Sequence, residues 1–240
     1  MVSIATYDPS GGGDYFAMLT SEVNPKEILL TDAKGWQKSD FPPNADFFGR
    51  IESKIAEYNQ KFKFNYNICE KNNMGTTVIN SLRFRHQLKV IAVTTSNNIV
   101  SEEVLREGKS YNKNDTIAWV LRLQKMGVIK FPSEMTQGLT MLKTQLDNFG
   151  VKNTKSSTSK VTYEALQGHD DLVTCLTILV HFAKRRILNL PELRSMFPYD
   201  GVGLDIEVEP SKLQKTESGL RQMMGLRGKG LFDKIDIKFK

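Results

Sequence analysis

Val2 to Tyr7 alternates polar and apolar side chains in a β-rich composition, and Pro9-Ser-Gly-Gly-Gly13 then interrupts the pattern with a run that only a tight turn accommodates. Asp14 to Val23 predicts the returning strand of a hairpin, and Lys26 to Ala33 a third strand. Over Asn44 to Phe62 the period lengthens to that of a helix, with Phe47, Phe48, Ile51, Ile55, Tyr58 and Phe62 on one stripe and Asn44 placed as the N-cap behind Pro42-Pro43. Asn65 to Cys69 predicts a short strand ending at Glu70, Gly75 to Leu82 a helix, and Leu88 to Thr94 another strand. The polar, Asn- and Gly-punctuated stretch from Ser96 to Asn114 is expected to be a loop-rich surface insertion.

Further along, Thr116 to Lys125 and Glu134 to Asp147 predict helices, separated by a strand-like piece at Val128 to Phe131. Val151 to Ser159 offers almost nothing to bury and predicts a mobile loop, followed by an edge strand at Val161 to Leu166. Asp170 to Ile187 is the most apolar helix of the chain. Beyond Pro191 the pattern weakens, and residues 212–240 combine many Lys and Arg with glycines, as in a basic tail. An opening three-stranded meander, a crossover helix and then alternating helices and strands predict an α/β fold with a mixed sheet flanked by helices on both faces, the order of ribonuclease H-like folds.

At 240 residues with 40% hydrophobic content, the chain suits one large domain with an extension, which we place at 1–195 and 196–240. A formal net charge of +6 fits a polyanionic partner without requiring one. Cys69 and Cys175 fall in a strand and an apolar helix, as two small buried thiols in a reducing compartment would. With no charged leader and no apolar run of bilayer length, the expectation is a soluble intracellular protein with no membrane partner.

Three acidic patches change the picture. Asp8 ends the first strand, Glu70 follows another, and Asp170-Asp171 opens the apolar helix, so an α/β sheet would bring them towards one point. Taken alone, the first motif reads as a hairpin whose Asp caps its own turn. Its glycines do not make a phosphate cradle, because the Lys-Ser/Thr of a P-loop is missing and a strand follows rather than a helix. Glu70 alone reads as a solvated strand end, with Asn72 or Asn73 capping the next helix. Capping explains one acid ahead of an apolar helix. Two acids beside His169 are better explained by coordination of hard divalent cations, magnesium or manganese, and the three patches together favour a two-metal site for phosphodiester hydrolysis.

The combination of DPSGGGDY, CEKNNMG, KFP near residue 131, QLDNF and YEALQGHDDLVTCL resembles the nuclease domain of the large terminase subunit of tailed bacteriophages and related viruses, over roughly residues 2–187. The resemblance implies an endonuclease that cuts concatemeric double-stranded viral DNA during genome packaging in the host cell cytoplasm. Carried over by position, it implies a metal-binding and catalytic triad of Asp8, Glu70 and Asp171, with Asp170 a further acid and Asp14 a secondary one, holding two Mg2+ or Mn2+ ions. It also implies an ATPase motor domain, a small terminase subunit and a portal protein as partners. Nothing in the chain resembles Walker motifs, so it would be the nuclease half alone.

DNA contacts are expected to be chiefly to phosphates. The candidates are Arg83 and Arg85 near the Glu70 helix, Lys109 and Lys113 in the polar insertion, Lys152, Lys155 and Lys160 in the predicted loop, and Arg221, Arg227 and Lys229 in the tail. The competing expectations are another ribonuclease H-like nuclease, of junction-resolvase or transposase type, and a non-catalytic DNA-binding packaging module.

Overall fold

The first strand, β1 (Val2–Pro9), is buried from Ile4 to its end, which requires helices over both faces of its sheet. The computed structural model describes residues 1–9, 15–72, 74–96, 110–153, 161–165 and 169–190. Contacts divide the chain after Asp200, and only the unit Met1–Asp200 holds described residues. The expected extension from residue 196 onward, with Arg221, Arg227 and Lys229, therefore lies outside them.

β1 pairs antiparallel with β2 (Phe16–Val23), and β2 antiparallel with β3 (Ile28–Trp36). On the other edge of β1 lie β4 (Tyr66–Glu70), β5 (Val90–Ser96) and β6 (Ser110–Asn112), each parallel to its neighbour. A short β7 (Ile129–Lys130) pairs parallel with β3. Among the described residues the main sheet has the order β6-β5-β4-β1-β2-β3-β7. The meander needs only tight connections, whereas each parallel neighbour needs a crossover, and the helices supply it. The α/β class with a mixed sheet covered on both faces is as the sequence predicts.

Period-two alternation then sorts the core into two halves. Ala5, Tyr7, Phe16, Met18, Cys69 and Ala92 pack on α1 (Phe47–Phe62) and α2 (Gly75–Phe84). On the opposite face, Ile4, Ala17, Leu19 and Ile68 belong to the core shared with α3 (Lys113–Lys125), α4 (Gln137–Asp147) and α5 (Asp171–Arg186). No helix among the described residues is long and apolar enough to cross a membrane. Both cysteines are free and buried.

Element ends depart from expectation where local hydrogen bonds outrank pattern. Asp46, not Asn44, caps α1, accepting from the Gly49 amide at 3.1 Å. α4 begins at Gln137 rather than Glu134 because Thr136 takes the cap, accepting from Leu139 N while donating to Asp32 Oδ1 at 2.8 Å. The polar insertion is not all loop: β6 extends the sheet at Ser110–Asn112, and α3 opens at Lys113, three residues ahead of the predicted start. Likewise, part of the expected mobile loop is β8 (Phe149–Asn153), which pairs antiparallel with β9 (Val161–Ala165) in a two-stranded sheet of their own. Backbone pairing in a hairpin needs no apolar side chains, which is why composition missed it. The remainder of that loop, residues 154–159, and Leu166 lie outside the described residues.

Candidate active site

Strand parity places the first two acids. Thr6 faces α5, donating its hydroxyl to the Cys175 carbonyl at 3.0 Å, and Ile4 packs in the same half-core. Asp8, two residues on from Thr6, shares that face. On β4, Ile68 belongs to the α5 half-core, so Glu70 faces the same way. The parallel register pairs Tyr7 with Cys69, and the next rung sets Asp8 beside Glu70, on strands about 4.8 Å apart.

The third acid arrives on α5. Asp171 occupies its first turn and is 6% exposed, while Asp8 is 8% exposed. One turn further along the same side of α5 lies Cys175. Burial raises its thiol well above the ordinary range, and the negative charges of Asp8, Asp171 and Glu70, then that of Cys69, add to the rise. Charges from three separate elements thus reach one sulfur. On the far face Cys69 is raised too, first by burial and then by Asp8 and Glu70, with Arg83 opposing.

Tyr15 follows the glycine run, which lies outside the described residues, and holds the arrangement from the side. It donates its backbone N–H to Asp171 Oδ2 at 3.1 Å, and its ring meets the His169 ring edge-on at 5.0 Å between centroids. Glu70, half-buried, accepts from Asn72 Nδ2 at 3.0 Å. Gly75 is required here: a Cβ at that position would lie 1.9 Å from the Glu70 carbonyl oxygen, so α2 starts directly against the backbone that carries the acid. Asp170 stands at the N-cap of α5 without a side-chain capping bond. Among the described residues, no three His, Cys, Asp or Glu side chains form a ready coordinating cluster. The carboxylates share a region rather than closing on one point, as like charges do. The donor set itself, all carboxylate oxygen, suits a hard divalent cation.

The basic candidates fare differently. α2 runs from Glu70 back towards the opposite end of the sheet, which puts Arg83 and Arg85 about 12 and 15 Å along the helix direction from its start at Gly75. Arg83 binds the Val90 carbonyl through Nε (3.2 Å) and a second guanidinium nitrogen (2.7 Å), fastening α2 to the start of β5, while Arg85 is exposed. Lys113 is the first residue of α3 and Lys152 lies in β8. Asp14, Lys109, Lys155 and Lys160 fall outside the described residues. The sequence reading missed the Tyr15 amide, which no side-chain pattern signals, and the Thr6 tether. It also missed Gln145, which lies inside the QLDNF motif and turns its side chain to α5, accepting from the Leu172 N–H at 3.0 Å.

No protein-family model and no curated protein matches the chain. Among solved structures, it is similar to the large terminase of a thermophilic bacteriophage, with a TM-score of 0.55 and 10% identity, covering 75% of this chain and 39% of that one. The chain thus spans well under half the length of that relative. The large terminase nuclease of thermophilic phage G20c matches with a TM-score of 0.51 and 15% identity over 74% of this chain and 80% of that one. The nuclease domain of the bacteriophage SPP1 large terminase, a structure with bound Mn, matches with a TM-score of 0.50 and 11% identity over 76% and 86%. Strand order, the acid-bearing strand ends and these likenesses converge: the chain has the ribonuclease H-like fold of large terminase nuclease domains.

Proposed function

We propose that the chain is a metal-dependent endonuclease that hydrolyses phosphodiester bonds of double-stranded DNA, serving as the nuclease part of a viral genome-packaging terminase. The observation that supports the reading is that β1 and β4 end side by side with Asp8 and Glu70 on the α5 face, where Tyr15 N–H binds the Asp171 carboxylate. Burying two carboxylates beside a third is costly unless a counter-charge meets them. Asp8, Glu70 and Asp171 would hold two Mg2+ or Mn2+ ions, with Asp170 and Asp14 as further acids. Such ions, when bound, supply an activated water and stabilise the leaving 3′ oxygen of an in-line displacement.

The chain's own residues do the rest. The Tyr15 amide holds one oxygen of Asp171, and the Asn72 side chain donates to Glu70. Arg85, which is exposed, together with Arg83, Lys109, Lys113, Lys155 and Lys160 would contact phosphates, so binding would weaken with salt and depend little on sequence. We further propose residues 1–195 as the nuclease domain and 196–240 as a basic extension, working beside an ATPase motor, a small terminase subunit and a portal.

The test is cleavage of supercoiled plasmid with Mn2+, Mg2+ or EDTA, comparing the parent chain with Asp8→Ala and Asp171→Ala. Metal-dependent nicking and linearisation that both substitutions abolish supports the proposal. Plasmid that stays intact under every condition while remaining bound to the protein points instead to a DNA-binding module without catalysis.

A further inference from the structure

Asp170 makes no side-chain capping bond at the start of α5, and a first-turn amide is instead met from a neighbouring helix. Gln145 is 7% exposed, on the third-last position of α4, and its Oε1 accepts from the backbone N–H of Leu172, the residue directly after Asp171. From the sheet side, Thr6 holds the Cys175 carbonyl one turn later. Tyr15 N–H holds the Asp171 carboxylate itself. α4, in turn, is fixed on β3: a Cβ on Gly138 would lie 1.7 Å from the Ala33 carbonyl oxygen, and Thr136 donates to Asp32. A rigid chain of contacts therefore runs from β3 through α4 to the peptide that carries Asp171.

Core packing does not demand this bond. Leu139 and Leu142 already join α4 to the common core, and an apolar residue at 145 would extend that face. A buried glutamine accepting one specific first-turn amide answers a directional need. It fixes the rotation of the α5 first turn, and with it the direction in which the Asp171 side chain leaves the helix. We infer that Gln145 is a positioning residue for the metal-binding acids, acting through the Leu172 amide on Asp171. This rests on the nuclease reading above and extends it to a residue that touches neither metal nor DNA.

Two substitutions separate positioning from packing. Gln145→Met keeps the length and burial but removes the acceptor, whereas Gln145→Glu keeps an acceptor in place. Leu142→Ala, on the same helix, serves as a variant that loosens the core without touching the Leu172 amide. Three readouts are taken on the full chain: Mn2+ affinity by calorimetry, kcat and KM for plasmid cleavage, and hydrogen exchange at the Leu172 amide. For Gln145→Met we expect Mn2+ affinity and kcat to fall about 10- to 100-fold with KM for DNA little changed, as when a group supporting a metal ligand is removed. Faster exchange at Leu172 should accompany the loss, and Gln145→Glu should recover most of it. Leu142→Ala should lower the melting temperature while leaving Mn2+ affinity of the folded protein intact. Parental Mn2+ affinity and kcat in Gln145→Met, or a loss that Leu142→Ala reproduces, would overturn the inference. If the parent chain neither binds Mn2+ nor cleaves, the nuclease reading fails by itself. Leu172 exchange then decides the positioning: acceleration in Gln145→Met supports it and parental protection overturns it.

Discussion

Helices α1 and α5 have the same length, 16 residues, and lie on opposite faces of one sheet, yet they are built to different ends. α1 buries Phe47, Ile51, Glu52 and Ile55 on one stripe, with Phe48 and Tyr58 half-buried beside it, and turns its other side to solvent. α5 is buried continuously from Asp171 to Val180, because α3 and α4 pack over the side that the sheet does not cover. A one-stripe helix is a lid that closes a core and tolerates small shifts. A helix enclosed all round has its rotation and depth fixed, and only such a helix can deliver a carboxylate to a set place. The acids accordingly lie on the α5 face, while the α1 face carries the aromatic and polar interlocks, including Tyr7 donating to Asn67 Oδ1 at 2.7 Å and Asn67 donating to Asn59.

The sharpest way to break this contrast is to change one residue on each helix. Asp171→Asn should reduce plasmid cleavage on the order of 10³-fold or more, since a metal site supplies several kcal/mol of transition-state stabilisation. Its circular dichroism and melting should remain those of the parent. A fully active Asp171→Asn protein would remove α5 from the chemistry. On the lid helix, Ile51→Ala should cost about 2–5 kcal/mol of stability by opening a cavity, while kcat of the folded fraction stays near the parental value. A matched loss of kcat would mean that the α1 face also sets the site.

Gly75→Ala tests the boundary between the faces. The added methyl cannot fit against the Glu70 carbonyl, so α2 must shift, at about 1–3 kcal/mol. Because the strained backbone is that of an acid, activity should fall further than melting alone predicts, which parallel activity and unfolding curves would detect. The smallest effect concerns pH. Cys69, Cys175 and Tyr7 all have pKa values raised chiefly by burial, so they stay protonated in the folded chain at a pH where the unfolded chain ionises. Stability they contribute is fully present below the ordinary thiol value of about 8.5 and is lost as pH climbs above it. Urea midpoints should therefore fall between pH 7.5 and 10, and a Cys69→Ala, Cys175→Ala double variant should show a shallower fall.

Much of this was legible in the chain. Long periodic segments such as those of α1 and α5 announce themselves, and so does β1, whose fixed parity puts Asp8 on one face. Acids at strand ends and a helix start were readable as a constellation because topology brings such ends together. What escaped was set by backbone chemistry or by distant partners. β6 and β8 are short pairing events, three and five residues long, in stretches whose polar neighbours mask them. The bond from Arg83 to the Val90 carbonyl, which ties α2 to β5, has no signature in the sequence. The caps Asp46 and Thr136 were each preceded by another plausible start. Gln145 has meaning only once α4 and α5 lie side by side, a juxtaposition that a one-dimensional pattern does not contain.

The bond between Tyr15 N–H and Asp171 joins positions 156 residues apart. The hairpin of β1 and β2, by contrast, forms from neighbours in sequence. Closing so long a loop is entropically late, and contacts of that separation reward the chain only after the intervening elements have formed. On a ribosome the consequence is an order of events: the strands that carry Asp8 and Glu70 are made some hundred residues before Asp171. A chain released early, or nicked ahead of α5, would leave that face of the sheet uncovered and have no means of completing its acid cluster. Completion of the acid cluster would then wait on the docking of one helix.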